Sequence, residues 1–227
     1  MAWFDIFASE YDSWYSSDLG SFVDEIEKEL VEKVAIFNSN EKVLDIGAGT
    51  GNYSIWMAKK GLDVTSIDQS KGMLEVARKK SEKENLNINF IYGDAHSLDF
   101  EDCTFDIVIS VTAIEFMENA SIVLKEAYRV LKPKGRLVVG LLTKNSSWGE
   151  MYRQSIKENP DSIFSKAHLY EEDELMHLLP YSYKLLKGLY IPPSREFDKE
   201  VTLAMEKRGQ VEQADNAGFY VVRWDKE

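Results

Sequence analysis

Residues 42–53, Lys-Val-Leu-Asp-Ile-Gly-Ala-Gly-Thr-Gly-Asn-Tyr, constrain this chain more than any other stretch. Val43, Leu44 and Ile46 form a short apolar run suited to a strand buried on both faces, and Asp45 interrupts it near its end. Gly47, Gly49 and Gly51 then alternate with Ala48 and Thr50, and a helical pattern with Ile55, Met57 and Ala58 follows. A strand that stops in a glycine turn and opens a helix presents unpaired N–H groups and a positive helix end to a ligand. Without Cβ atoms the main chain can approach that ligand closely. Three glycines in five positions weigh against a plain tight turn.

The unit then repeats. The patterning predicts strands at 63–67, 88–92, 105–110 and 136–142, with helices at 70–85 and 121–131, the latter closed by Pro133 and Gly135. Strands and helices alternating at this period imply a parallel, doubly wound sheet with helices on both faces. Upstream, a helix is expected over 21–37, capped by Ser21, with Phe22, Ile26, Leu30, Val34 and Phe37 inward and Glu25, Glu27, Lys28, Glu32 and Lys33 in solvent. Phe4, Phe7, Tyr11, Trp14 and Tyr15 fall on roughly one helical face, so residues 1–37 read as an N-terminal helical cap or lid. The tail is less regular, with helices expected at 148–157 and 171–179 and strands at 182–191 and 219–224. Residues 192–218 are charged and weakly patterned, and read as a variable insertion with a short helix near 201–208. A length of 227 residues suits one α/β domain spanning 1–227 with these additions.

Charge narrows the ligand class. The net charge of −12, from 39 acidic against 27 basic residues, disfavours general nucleic-acid binding. The one cysteine, Cys103, excludes an internal disulfide framework, and three scattered histidines make no metal set. No apolar run approaches membrane-spanning length, and the opening Met-Ala-Trp-Phe-Asp has no basic region before an apolar stretch. A cytoplasmic location is the expectation, as a monomer or homodimer.

Asp45, Asp68 and Asp94 lie 23 and 26 residues apart, about one strand-helix unit each, and so end successive parallel strands. Ligands of such sheets bind in the crevice outside those ends. Asp68, after the second strand, is placed to accept both hydroxyls of a ribose. The dinucleotide fingerprint G-x-G-x-x-G sets its third glycine three positions after the second, whereas here the interval is two. Asp45 beside the turn would repel a pyrophosphate and suit a cation. The segment Asp-Ile-Gly-Ala-Gly-Thr-Gly, 45–51, resembles the first motif of the class I S-adenosylmethionine (SAM)-dependent methyltransferases, and Glu126 to Leu137 resembles their segment leading into the fifth strand.

That resemblance covers roughly 40–142 and implies a Rossmann-like seven-stranded sheet, mostly parallel with antiparallel pairing at one edge. It implies SAM as cofactor, S-adenosylhomocysteine (SAH) as product and a small-molecule acceptor. Asp45, Gly47, Ala48, Gly49 and Gly51 would line the methionine moiety, with Ser110, Val111 and Thr112 nearby. Asp68 would hold the ribose with Gln69 beside it, Met73 would lie against the adenine, and Asp94 and Ala95 would meet its edge. Tyr11 would approach the methionine end from the N-terminal segment, with Trp14 close by.

Transfer from a sulfonium needs alignment and exclusion of water, and a general base when the acceptor is a hydroxyl or carbon acid. Glu115, after the fourth strand, and His168, in the tail, are the candidates, with a solvated loop acid and a surface histidine as the competing readings. Trp14, Tyr15, Trp148 and Tyr152 are candidates for the acceptor pocket, with core packing as the alternative for the last two. A nicotinamide- or flavin-linked oxidoreductase and a non-catalytic SAM-binding protein are the competing functions.

Overall fold

The computed structural model describes residues 3–194 and 197–227. Met1 and Ala2 of the expected cap, and Arg195 and Glu196 of the expected insertion, lie outside the described residues. Five strands, β1 (Lys42–Ile46), β2 (Asp63–Asp68), β3 (Asn89–Tyr92), β4 (Phe105–Val111) and β5 (Leu131–Leu142), run parallel to one another. Two more, β6 (Tyr183–Gly188) and β7 (Phe219–Asp225), complete a sheet of order β3-β2-β1-β4-β5-β7-β6. β7 sits between β5 and β6 and is antiparallel to both, so the antiparallel pairings fall at one edge.

Alternation along β1 divides the core. Leu44 and Ile46 pack on one face with Val123, Leu124 and Ala127 of α4 (Ala120–Val130), while Val43 packs on the other with Leu30 and Val31 of α1 (Asp18–Ala35). Two helices complete the first repeats, α2 (Asn52–Lys59) and α3 (Lys71–Lys83).

The N-terminal segment differs from its expected form. Residues 3–16 make two 3-10 turns, Trp3–Phe7 and Tyr11–Ser16, rather than one amphipathic helix. α1 begins before Ser21 because the Ser17 hydroxyl accepts the Gly20 N–H at 3.0 Å, and it ends at Ala35 because Ile36 is left-handed, with φ +53°. Its buried face is also wider than the expected one. Glu27 is buried, not solvated, and lies between buried Val23 and Val31, one turn before and one turn after it.

In the tail, α5 spans Ser147–Glu158 and Glu172–His177 is a short 3-10 helix rather than an α-helix. The stretch expected to hold a short helix carries α6, Lys199–Glu212, capped by Asp198. Buried Glu206 pins it, accepting the N–H groups of Leu189 at 2.9 Å and Tyr190 at 2.6 Å. Among the described residues, no helix is long and apolar enough to cross a membrane.

Candidate active site

The turn after β1 is held to β2 through its N–H groups, with the Gly47 N–H donating to the Ile67 carbonyl at 2.8 Å and the Gly49 N–H to the Asp68 carboxylate Oδ2 at 2.8 Å. Gly49 has φ +54°, and a Cβ added there would meet nothing within 4 Å, so its face is open. Gly51 serves a different purpose. A Cβ there would lie 3.0 Å from the Ala77 Cβ, so it allows α2 to pack on α3 and lies off the cavity walls.

Two large cavities and a niche meet above the strand ends. The first, about 690 Å³, has Asp68, Gln69, Met73, Asp94 and Ala95 on its wall, with Gly47, Gly49, Glu115 and His168. The niche, about 30 Å³, is lined by Asp45, Gly47, Ala48, Gly49, Tyr15 and Val111 among others. The second cavity, about 490 Å³, is walled by Trp14, Tyr15, Trp148 and Tyr152 together with Glu27 and Phe164. Tyr11 and Thr112 line all three spaces. Phe4 and Phe116 are shared by the two large cavities, their rings edge to face at 5.0 Å. Thr112 has φ +47°, an uncommon conformation for a β-branched residue of the kind that clusters at functional sites. Ser110 is not on a wall, since its hydroxyl donates to the Ile46 carbonyl at 2.8 Å and ties β4 to β1.

The acids differ in what holds them. Burial pushes Asp45 up to about 7, against the Ser54 hydroxyl that donates to it at 2.5 Å and with a contribution from Asp68. Burial also raises Asp68, opposed by N–H bonds from Ser70 at 2.7 Å and Gly49 at 2.8 Å. Asp94 is held below its usual range by the His96 N–H and ring, and Gln69 donates to it at 3.0 Å. Glu115 is buried rather than a solvated loop acid. Its Oε1 accepts the Leu142 N–H, its Oε2 has no partner, and burial raises it to about 7. The His168 N–H donates to the Glu115 carbonyl at 2.8 Å, but the exposed imidazole pairs with Glu174 at 2.8 Å. The backbone brings the two candidate bases together while their side chains diverge.

This set fits a cationic nucleoside. The niche carries Asp45 and, among the described residues, no lysine, arginine or histidine. An ionised Asp68 offers about four acceptor sites, so it keeps capacity for sugar hydroxyls beyond its backbone bonds. Met73 and Ala95, both buried, supply an apolar surface for a base.

Sequence reasoning missed Glu27, Phe116 and Phe164 as cavity walls, and it put Phe4 in the N-terminal cap without assigning it to a wall. The spacing of Val23, Glu27 and Val31 held the signal for the first, since an acid one turn from two buried valines shares their face. No sequence signal marked the others as cavity walls.

A family profile described as a methyltransferase domain matches residues 44–139. An uncharacterised protein of Methanocaldococcus jannaschii is 30% identical over 176 residues, 78% of each chain. The chain belongs to the class I SAM-dependent methyltransferases. Their cofactor is SAM, and the nicotinamide- or flavin-linked alternative is set aside. A Thermotoga maritima SAM-dependent methyltransferase, described as a possible histamine N-methyltransferase, superimposes with a TM-score of 0.76 at 26% identity over 99% of this chain and 98% of its own. A demethylmenaquinone methyltransferase of the same organism is 40% identical over 114 residues, 49% of this chain. The methyltransferase chain described here spans 48% of that relative's length.

Proposed function

We propose that this methyltransferase moves the SAM methyl group to a small-molecule acceptor, with cofactor in the first cavity and niche and acceptor in the second. The supporting observation is the meeting of all three spaces at Tyr11 and Thr112, where a methyl group could pass from one to another. SAM, when bound, supplies a methyl carbon already activated by positive sulfur. Asp68 accepts the ribose hydroxyls, and Asp45 pairs with the ammonium beside the main chain of Gly47, Ala48 and Gly49. Met73 and Ala95 pack on the adenine, and Asp94 with Gln69 meets its polar edge. The 3-10 turns of residues 3–16 cap the assembly and keep water from the junction.

Glu115 takes the acceptor's proton. Its unpartnered, buried Oε2 sits on the wall of the first cavity, and a carboxyl near 7 is matched to proton transfer at neutral pH. His168 steadies the same loop through its main-chain bond to Glu115. Relatives with named acceptors point to small molecules, a quinone precursor in one case and an amine in the other.

The test is transfer from methyl-labelled SAM into a fractionated metabolite extract. Label in a low-molecular-weight product is the expected result. Label found in protein or nucleic acid, or none beside intact SAH binding, would overturn the proposal.

A further inference from the structure

The second cavity has a charge character that the cofactor site does not explain. Its described wall carries three carboxylates, Glu10, Glu27 and Asp161, and no lysine, arginine or histidine. The first cavity, by contrast, includes Lys166, His96 and His168. Glu10 and Asp161 are exposed, but Glu27 is 7% exposed and lies among aromatic rings. Its own helix supplies only a shared counter-charge, since Lys28 acts on Glu27 but is already engaged, and the Tyr53 hydroxyl of α2 opposes the effect of burial as well. Lys28 is paired with Asp24 at 2.6 Å and lies over the Tyr53 ring at 5.7 Å. Around Glu27 stand Asp24 and Lys28 from α1, Tyr53 from α2, Tyr11 and Tyr15 from the second 3-10 turn, Tyr152 from α5, and Glu115 from beyond β4.

A buried carboxyl whose nearby cation is already paired elsewhere is costly, and it either takes a proton or waits for a charged partner. Burial raises Glu27 to about 8, with Asp24 and Glu115 adding to the effect. At neutral pH it is poised between these two outcomes. An ammonium entering the cavity would meet the carboxylate and a wall carrying the rings of Trp14, Tyr15, Trp148 and Tyr152, whose quadrupoles attract cations. A neutral ligand of the same shape would gain only the apolar contact.

We propose that the second cavity selects a small amine, bound as its ammonium with the charged nitrogen on the Glu27 carboxylate inside the aromatic cage. This inference rests on the reading of that cavity as the acceptor site. It adds a class of acceptor and a specificity residue, and the anchored nitrogen need not be the atom that is methylated.

The test is calorimetric titration of the SAH-saturated protein with phenethylamine and with 2-phenylethanol, its uncharged counterpart of equal size. The amine should bind at least about tenfold more tightly, the scale of a desolvated cation–π and ion-pair gain. Glu27→Gln should remove that preference while leaving the alcohol and SAH unaffected, and intact SAH binding also reports that the variant is folded. Trp14→Leu, at an exposed ring, should lower amine affinity about threefold through the lost cation–π term and change the alcohol less. Equal affinity for the two probes, a preference that survives both substitutions, or no amine binding at millimolar concentration would overturn the proposal. Failure of the wild-type protein to bind SAH would count instead against the cofactor reading.

Discussion

The first cavity takes most of its walls from the carboxyl ends of four adjacent strands, whereas the second takes them mostly from side chains of residues 4–15, α1, α5 and residues 159–164. The first cavity and its niche present main chain and short acids, whose positions follow from the sheet register that pairs Asp45 with Ser66 and Asp68 with Tyr92. In the second, bulky rings set the shape, and each ring depends on the packing of a different segment. A site built from backbone tolerates little change of residue type. One built from rings can be re-cut for a new ligand by substitutions that leave the sheet alone. The comparison accounts for a chain that shares its family profile over 44–139 while the walls of its second cavity lie largely outside those residues.

Four measurements bear on this contrast. The largest expected effect is that of Glu115→Gln, which should lower kcat about a hundredfold or more while SAH affinity changes little. An equal loss in SAH binding would mean that Glu115 belongs to the cofactor site alone. Asp68→Ala should weaken SAH by roughly 1.5–3 kcal/mol, the range for hydrogen bonds to a charged group, as read by calorimetry. The second cavity should keep its ligand preferences in that variant, and a shift there would break the separation between the two sites.

Next in size is a pH effect in the niche. Asp45 near 7 must lose its proton to pair with the ligand ammonium. SAH affinity should therefore rise with pH up to about 7 and then level off, by at most about tenfold per pH unit. A flat profile would remove Asp45 from the site. The last measurement concerns stability without ligands. Glu27, Glu115 and Asp45 are all raised, so the folded state keeps protons that the unfolded chain releases above its ordinary carboxyl values. Their contribution is full below about pH 4 and is lost as pH rises through 7 to 8. Urea unfolding across that window should show stability falling with pH, and Glu27→Gln should flatten part of the slope.

The same contrast explains what could be read from the chain before its structure. The parallel sheet and the three strand-end aspartates follow from local rules, since alternating apolar runs and helical stretches fix the topology and a glycine turn marks the crevice at the strand ends. The walls of the second cavity follow from no local rule. Phe4 meets Phe116, and Trp14 lies 6.2 Å from Trp148, because of long-range packing. Glu27 shows the intermediate case. An acid on a helix normally faces water, and only its position between Val23 and Val31 argued otherwise. Gly51 and Ser110 show the reverse, where a motif position serves helix packing and a strand-end hydroxyl makes a main-chain bond, contacts that the motif alone does not announce.

Asp12 accepts hydrogen bonds from Thr50 at 2.7 Å and Asn52 at 3.3 Å and pairs with Lys80 at 2.7 Å, while Asp5 accepts from the Ser70 hydroxyl at 2.6 Å and the Gly72 N–H at 3.1 Å. Residues 5–12 are thus fastened to the body by polar clasps as well as by their rings. Such clasps loosen when mobile ions compete for them. Departure of spent nucleoside should then quicken as salt is added, so that turnover in this molecule answers to the ionic make-up of its surroundings.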